Sequence, residues 1–280
     1  MQKAKFPLVL LFSFLLSACS SSFVYNNIDW LLYWYVGDYV DLSSDQKAVL
    51  DDQIASWQSW HRSTELKKYQ AQLQNLKIKL DIGPLNQDQW LNEFDEARQH
   101  LHRFRAKIAP EVASIAQQLS QDQIAGILST WKKKRLEKQV DFDERTEEER
   151  LSRREERLTE SVEDNLGKLD RQQLNIIKKY ARQLIPTSTE RTVYQTTLQN
   201  TVRDIFANRN RSDFTQRLTL LISNPDQYKI AQYQQDLDHN ARLYAQMLAE
   251  LNLTLSQDQK RRLDVQFEEW IGLISDLISD

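Results

Sequence analysis

Apolar residues recur every three or four positions along much of the chain, and this spacing places them on one face of an α-helix. The first stripe predicts a helix over about 44–81. Its members are Leu50, Ile54, Trp57, His61, Tyr69, Leu73, Leu76 and Leu80. A second stripe runs from Trp90 to Ile108, where Pro110 is predicted to interrupt the helix, and a third runs from Leu263 to Ile278.

The remaining helices are predicted from the same spacing and from residues that start helices. They lie near 121–163, 171–184, 188–208, 213–223 and 226–250. Asn224 and Pro225 suit the cap and the first turn of the last of these. A continuous helix over 121–163 would be about 65 Å long at 1.5 Å per residue, which predicts an elongated molecule.

Composition strengthens the helical interpretation. The chain holds only five glycines and five prolines, whereas these two residue types make up roughly 12% of an ordinary globular protein, and sheets need them for turns. We therefore predict an all-α fold, an elongated multi-helix bundle with long antiparallel helices. Because no clear linker divides the chain, residues 43–280 are expected to form a single helical domain.

The chain begins with the layout of an export signal. Basic residues come first, an apolar run over 6–16 follows, and Ser17 and Ala18 precede Cys19, the only cysteine. The apolar run is shorter than the ~20 residues that a membrane-spanning helix needs. It is therefore expected to direct export without spanning the membrane in the mature protein.

Residues 16–19 (LSAC) resemble the lipobox of bacterial lipoproteins, in which the cysteine is modified with diacylglycerol, the signal is cleaved before it and the new amino group is acylated. The resemblance implies a signal peptide over 1–18 and a lipidated, aromatic-rich segment over 19–42. Ser20 stands where inner-membrane retention usually uses Asp, which implies the outer membrane, and we expect the periplasmic side. The alternative for Cys19 is an ordinary buried thiol.

Charge argues against one class of partner. Removal of residues 1–18 takes away two lysines and no acidic residue, so 35 basic and 40 acidic side chains would remain. A protein without a basic excess lacks the usual attraction to nucleic acid. The predicted partners are the membrane, through the N-terminal lipid, and a protein of the cell envelope.

A recurring pentapeptide marks several predicted helix starts. It reads LSSDQ from 42, LNQDQ from 85, and LSQDQ from 119 and from 255, with LDRQQ from 169 as a variant. Its second residue can accept a hydrogen bond from a first-turn amide, while the glutamine three positions later reaches back to the cap, as in a capping box. The predicted caps are Ser43, Asn86, Ser120, Asp170 and Ser256.

The same pentapeptide resembles the L-T-x-x-Q motif of small periplasmic helical chaperones. In that family, two such motifs start helices of a thin, cradle-shaped dimer with a basic concave face. Here Ser or Asn replaces Thr, and the acidic residues outnumber the basic ones. The resemblance implies a membrane-tethered chaperone as an alternative function, while plain helix capping is the other interpretation of the motif.

Seven aromatic residues lie within 23–39, directly after the predicted lipid site. Among them, Trp30, Tyr33, Trp34 and Tyr35 are candidate interaction residues. Trp and Tyr suit a bilayer interface, but they suit equally the packing of a short first helix on the domain, or a groove for a ligand or partner. Packing is the expectation, with the other two as alternatives.

Two stretches carry a family resemblance. VYNNIDWLLYWYVGDYVDLSSDQK at 24–47, followed by WHRSTELKKY at 60–69, resembles an uncharacterised family of Gram-negative lipoproteins, the domain of unknown function numbered 6279. The W-H-R-x-x-E-L-x-x-Y signature falls on Trp60, His61, Arg62, Glu65, Leu66 and Tyr69. The resemblance implies a helical lipoprotein and no known activity. Trp60, His61, Arg62 and Glu65 complete the candidate interaction surface.

Enzyme signatures are sparse. None of the four histidines stands in a metal-ligand spacing, and no phosphate-binding glycine loop or G-x-S-x-G is present, so no cofactor, metal or catalytic residue is predicted. His61 is expected to be a hydrogen-bonded core residue, with Glu65 one turn on. We predict a non-enzymatic binding or scaffolding lipoprotein. The alternatives are the tethered chaperone and an envelope hydrolase that uses Glu65 and His61.

Overall fold

The computed structural model of the protein describes residues 24–279. Within that range the chain forms eleven α-helices and no strand, which confirms an all-α multi-helix bundle. The first five helices are α1 Ile28–Gly37, α2 Ser44–Trp60, α3 Leu66–Ile82, α4 Gln87–Gln117 and α5 Gln121–Asp143. The other six are α6 Glu147–Leu166, α7 Arg171–Gln183, α8 Ser188–Ala207, α9 Phe214–Ser223, α10 Ala231–Asn252 and α11 Gln257–Ser279.

Three apolar clusters hold these helices together. In the first, α3 packs against α11 through residues that include Leu66, Leu73, Phe267 and Trp270. The second joins α6, α7 and α10, and the third joins α4 to α8 and α9. Each fully buried large apolar side chain contributes about 1.5–3 kcal/mol, so these clusters are the main source of stability. None of the helices within 24–279 combines the length and the apolar character needed to cross a membrane.

The first predicted helix, over 44–81, is interrupted by a π-helical turn at His61–Glu65, between α2 and α3. The N–H of Leu66 donates to the backbone oxygen of His61, five residues back instead of four. The spacing of buried residues on the two sides of the turn shows the extra residue that the π-helical turn contains. Ile54 and Leu73 are both buried and lie 19 residues apart, one more than the ~18 residues of five α-helical turns.

The prediction of one continuous helix over 121–163 is wrong, because the chain breaks at 144–146 into α5 and α6. Thr146 is the N-cap of α6. Its hydroxyl accepts a hydrogen bond from the backbone N–H of Glu149, and the Glu149 carboxylate accepts one from the N–H of Thr146 at 2.8 Å. This capping box gives α6 a start of its own, so the length of about 65 Å expected for a single helix does not occur.

Two predictions about proline are also wrong. Pro110 does not interrupt the second stripe, since α4 continues to Gln117. Pro110 is exposed, while its neighbours Ala109 and Ala113 are fully buried, and the packing of α4 on α9 outweighs the backbone hydrogen bond that proline removes. Pro225 begins a short 3-10 helix, Pro225–Tyr228, and not α10.

Candidate functional site

The π-helical turn directs Glu65 into the interior, where the residue is 1% exposed. Its carboxylate accepts hydrogen bonds from Lys68 Nζ at 2.7 Å and from Arg103 Nε, on α4, at 3.0 Å. Burial by itself would raise the pKa of the Glu65 carboxyl, but the hydrogen bonds from these two cations outweigh burial and hold the pKa below its usual value. Glu65 is therefore ionised and neutralised by its neighbours.

A chain of hydrogen bonds continues from Arg103 across the interface between α3 and α4. Arg103 Nη2 donates to His100 Nδ1, and His100 Nε2 lies 2.9 Å from Gln72 Oε1. Burial, and then the charge of Arg103, lower the pKa of His100. The ring is thus neutral, and its Nε2–H donates to Gln72. Gln72 Nε2 donates to the backbone oxygen of Glu93 at 3.0 Å, and Lys79 Nζ to the Glu93 carboxylate at 2.6 Å.

His61 makes its contacts away from Glu65. Its Nδ1 lies 2.9 Å from the hydroxyl oxygen of Tyr25, and its ring meets that of Tyr69 edge-on, with 5.4 Å between the centroids. Burial lowers the pKa of His61 to about 4. The expected partner, Glu65, lies close enough for its charge to oppose part of this lowering, but it accepts its hydrogen bonds from Lys68 and Arg103.

We define the polar cluster as the side chains that this network joins. They are Glu65, Lys68, Gln72, Lys79, Glu93, His100 and Arg103. The network links the π-helical turn and α3 to α4. A general base must reach a substrate or a water molecule, whereas the Glu65 carboxylate is enclosed and already bonded. No three His, Cys, Asp or Glu side chains in residues 24–279 are grouped so as to hold a metal ion.

Sequence reasoning selected Glu65 and His61 but missed the partners on α4. A signal for them was present. Glu93, His100 and Arg103 are spaced seven and three residues apart, which places them along one face of a helix. That face also carries apolar residues. Sequence reasoning interpreted it only as an apolar stripe and did not consider the polar residues within the stripe.

The remaining candidate interaction residues divide into an exposed and a packed set. On α1, Trp30, Trp34 and Tyr35 are 67%, 55% and 47% exposed. Tyr33, on the same helix, faces α2, and its hydroxyl donates to Asp51 Oδ1 at 2.6 Å. The expectation that the aromatic segment packs on the domain is therefore met by Tyr33, while Trp30, Trp34 and Tyr35 keep about half or more of their surface exposed.

The packed set lies next to the polar cluster. Trp60 is partly buried. The guanidinium of Arg62 hydrogen-bonds to Asn26 and lies 5.4 Å from the centre of the Tyr25 ring. These residues thus hold the segment before α1 against the end of α2, and they do not form one surface with Trp30 and Trp34.

Capping boxes are present at all five predicted caps. In each, the N-cap side chain accepts a hydrogen bond from the backbone N–H of a glutamine three residues on, and the side chain of that glutamine accepts one from the N-cap N–H. The five caps are Ser43, Asn86, Ser120, Asp170 and Ser256. Each of these helices therefore begins where local hydrogen bonding predicts.

Four of the capping glutamines also bond to one another, in two pairs. Gln46, at the start of α2, exchanges two amide hydrogen bonds with Gln123, at the start of α5. Gln173 and Gln259 do the same at the starts of α7 and α11. In both pairs, each amide also donates to the backbone oxygen two residues before its partner's N-cap. The motif is thus used inside the protein, which favours the capping interpretation.

Comparison with known proteins identifies the family to which the chain belongs. The model of a family of unknown function, DUF6279, matches residues 38–234. The chain belongs to DUF6279. The matched region contains the π-helical turn, the polar cluster and the Gln46–Gln123 pair, while α1 and α11 lie outside it. Searches of curated proteins and of solved structures found no match. Cys19, the predicted lipid attachment site, lies outside the described residues.

Proposed function

We propose that this DUF6279 protein is a lipid-anchored, non-enzymatic binding or scaffolding protein of the outer membrane, facing the periplasm. The observation that carries the proposal is the exposed aromatic face of α1, which begins nine residues after Cys19. An exposed cluster of large aromatic side chains is typical of a contact surface. The lipobox-like sequence before it supplies the anchor, and permanent attachment requires more than one acyl chain.

The interior of the protein supports binding over hydrolysis. Glu65 and His61, the residues of the hydrolase alternative, bond to different partners and lie within the packed helices. Removing either residue is therefore expected to act through stability and not through loss of a chemical step. The chaperone alternative has less support, because the glutamines of its motif are bonded to each other or to their own caps.

Lipid attachment is tested on the full-length protein expressed in a Gram-negative host. Mass spectrometry of the purified protein should find residues 1–18 removed and Cys19 carrying diacylglycerol and an N-acyl chain. Density-gradient separation of the membranes should place the protein in the outer membrane. Cys19→Ala should abolish the modification, and Ser20→Asp should keep it while moving the protein to the inner membrane. An unmodified Cys19 in the wild type would refute the anchor.

The binding role needs a separate experiment. Chemical crosslinking in intact cells that express the wild type should repeatedly capture the same envelope protein. The capture should be weaker in Cys19→Ala, which removes the lipid without changing the folded surface of the domain. Recovery of the uncrosslinked lipoprotein alone, at normal abundance, would contradict a scaffolding role while leaving the anchor intact.

A further inference from the structure

We infer that the exposed aromatic face of α1 lies in the interface of the phospholipid bilayer, so that the protein is held at the membrane by both a lipid and a helix. This inference rests on the proposed lipid anchor. It adds an orientation, because a lipid alone leaves the domain free to rotate, whereas a docked helix fixes which side of the domain faces the membrane.

The first observation is the geometry of the face. Trp30 and Trp34 lie one helical turn apart and therefore share a side of α1, and the exposed Tyr35 lies next to Trp34, about 100° further around the helix. Trp and Tyr are the side chains that favour the membrane–water interface, where the ring is in apolar surroundings and its polar atom stays hydrated. α1 is only ten residues long, so it suits the interface plane and not a spanning position.

The second observation is that contacts beside the exposed face fix α1 to the domain. The Tyr33 hydroxyl bonds to Asp51 of α2. Asp38, just after α1, is paired with Lys134 of α5 at 2.7 Å. α1 is therefore held in a defined orientation, with Trp30 and Trp34 on the outside of the molecule. These two contacts also link the orientation of α1 to that of α2 and α5.

The third observation is distance. The first residue of α1 comes nine residues after Cys19, and a fully extended chain covers at most about 3.6 Å per residue, or roughly 30 Å. The bilayer is therefore always within reach of α1, at a high effective concentration. A second copy or another protein has to arrive by diffusion.

The test uses the full-length lipidated protein in vesicles of phosphatidylethanolamine and phosphatidylglycerol. Half of the samples contain phosphatidylcholine brominated at carbons 6 and 7 of the acyl chain, which quenches only tryptophans in the bilayer. Wild-type fluorescence should fall by roughly a quarter, because two of the seven tryptophans would contact lipid. The double variant W30F/W34F should lose this quenching. The double variant W57F/W90F, altered within the domain, should retain it.

Mass spectrometry of each sample shows whether Cys19 carries the lipid, and circular dichroism shows that each variant is folded. Quenching in the wild type equal to that of W30F/W34F, with the lipid attached, would overturn the docking of α1 and leave the anchor standing. Absence of the lipid from the wild type would instead refute the anchor. If brominated lipid does not quench the wild type and crosslinking through α1 yields dimers, the face is occupied by a second copy of the protein. This result would also overturn the inference.

Discussion

Gln173 and Gln259 exchange two hydrogen bonds through their side-chain amides, with the Nε2 of each donating to the Oε1 of the other at 2.8 and 2.9 Å. Both residues are buried, and each also completes the capping box of its own helix. The pair joins the starts of α7 and α11, which are 86 residues apart in sequence. If one glutamine is removed, the amide nitrogen and oxygen of the other remain buried, and water cannot replace the lost hydrogen bonds.

We expect Gln173→Ala to lower the free energy of unfolding by about 2–4 kcal/mol, because it removes several hydrogen bonds and leaves the buried Gln259 amide unsatisfied. The matched control is Gln89→Ala. Gln89 completes the capping box of α4 but is exposed, so the expected loss is about 0.5–1 kcal/mol. Denaturant titration followed by circular dichroism measures both. Equal losses would contradict an energetic role for the pairing.

The second prediction concerns Arg103, which neutralises Glu65. Arg103→Ala should destabilise the protein by about 3–5 kcal/mol, since it leaves a buried carboxylate with Lys68 as its one cation. Adding Glu65→Gln to this variant should restore part of the loss, because the uncompensated charge is then removed. Thermal or denaturant unfolding of the single and double variants measures the coupling.

The control for Arg103 is Arg98, on the same helix. Arg98 forms an exposed salt bridge with Asp95 at 3.2 Å, and exposed pairs contribute at most about 1 kcal/mol. Arg98→Ala should therefore change stability by less than that. A similar effect for both arginines would show that the loss reflects the helix and not the polar cluster.

The third prediction concerns pH. The pKa of His61 is lowered to about 4 in the folded protein, so the unfolded chain binds a proton at a higher pH than the folded chain does. Stability should fall as the pH decreases from about 6.5 to about 4. With allowance for partial solvent exposure, the loss should be about 2 kcal/mol. His100, whose pKa is also lowered, adds to the loss in the same direction.

His61→Gln should reduce this pH dependence, because glutamine can still bond to Tyr25 but does not titrate. The control is His239→Gln, at an exposed position of α10, which removes a histidine and leaves the contacts of His61 in place; an equal reduction in this control would contradict the assignment to His61. Glu65 acts in a lower range. Its folded pKa is depressed, so its contribution is present above about 4.5 and is lost as the pH falls further. Unfolding free energies measured between pH 3 and 8 separate the two ranges.

The fourth prediction compares two glycines. Gly167 ends α6 with a φ of 74°, and a Cβ there would lie 3.4 Å from Arg262, so Gly167→Ala should cost about 1 kcal/mol. Gly272 lies within α11 with nothing within 4 Å of an added Cβ, and Gly272→Ala should stabilise by about 0.5–1 kcal/mol. A lower unfolding midpoint for Gly167→Ala and a higher one for Gly272→Ala would support both predictions. Shifts of the two midpoints in the same direction would contradict one of them.

Helix starts could be predicted from the sequence because a capping box depends on residues only three positions apart. Ser43 and Ser120 show this directly. The start at Thr146 follows the same chemistry with Glu149, but the prediction of one helix over 121–163 followed the apolar spacing and passed over it. Local hydrogen bonding proved the better guide, since apolar spacing indicates which side of a helix is buried and not where the helix begins.

The polar cluster could not be predicted in the same way. Arg103 meets Glu65 across 38 residues of sequence, and the contact exists only because α4 packs beside the π-helical turn. Single-residue patterns contain no such information. Gln46 and Gln123 present a similar case, since each was identified as a capping residue while their mutual bonds depend on how α2 and α5 meet.

The π-helical turn makes chain length at this point as important as residue identity. Deleting Ser63, an exposed residue within the turn, would allow α2 and α3 to join as one regular α-helix. Every later residue of α3 would then rotate by about 100° about the helix axis. Leu66 and Leu73 would leave their contact with α11, and Glu65 would turn away from Arg103. A family member with one residue fewer in this segment would therefore present different side chains of α3 to α4 and α11.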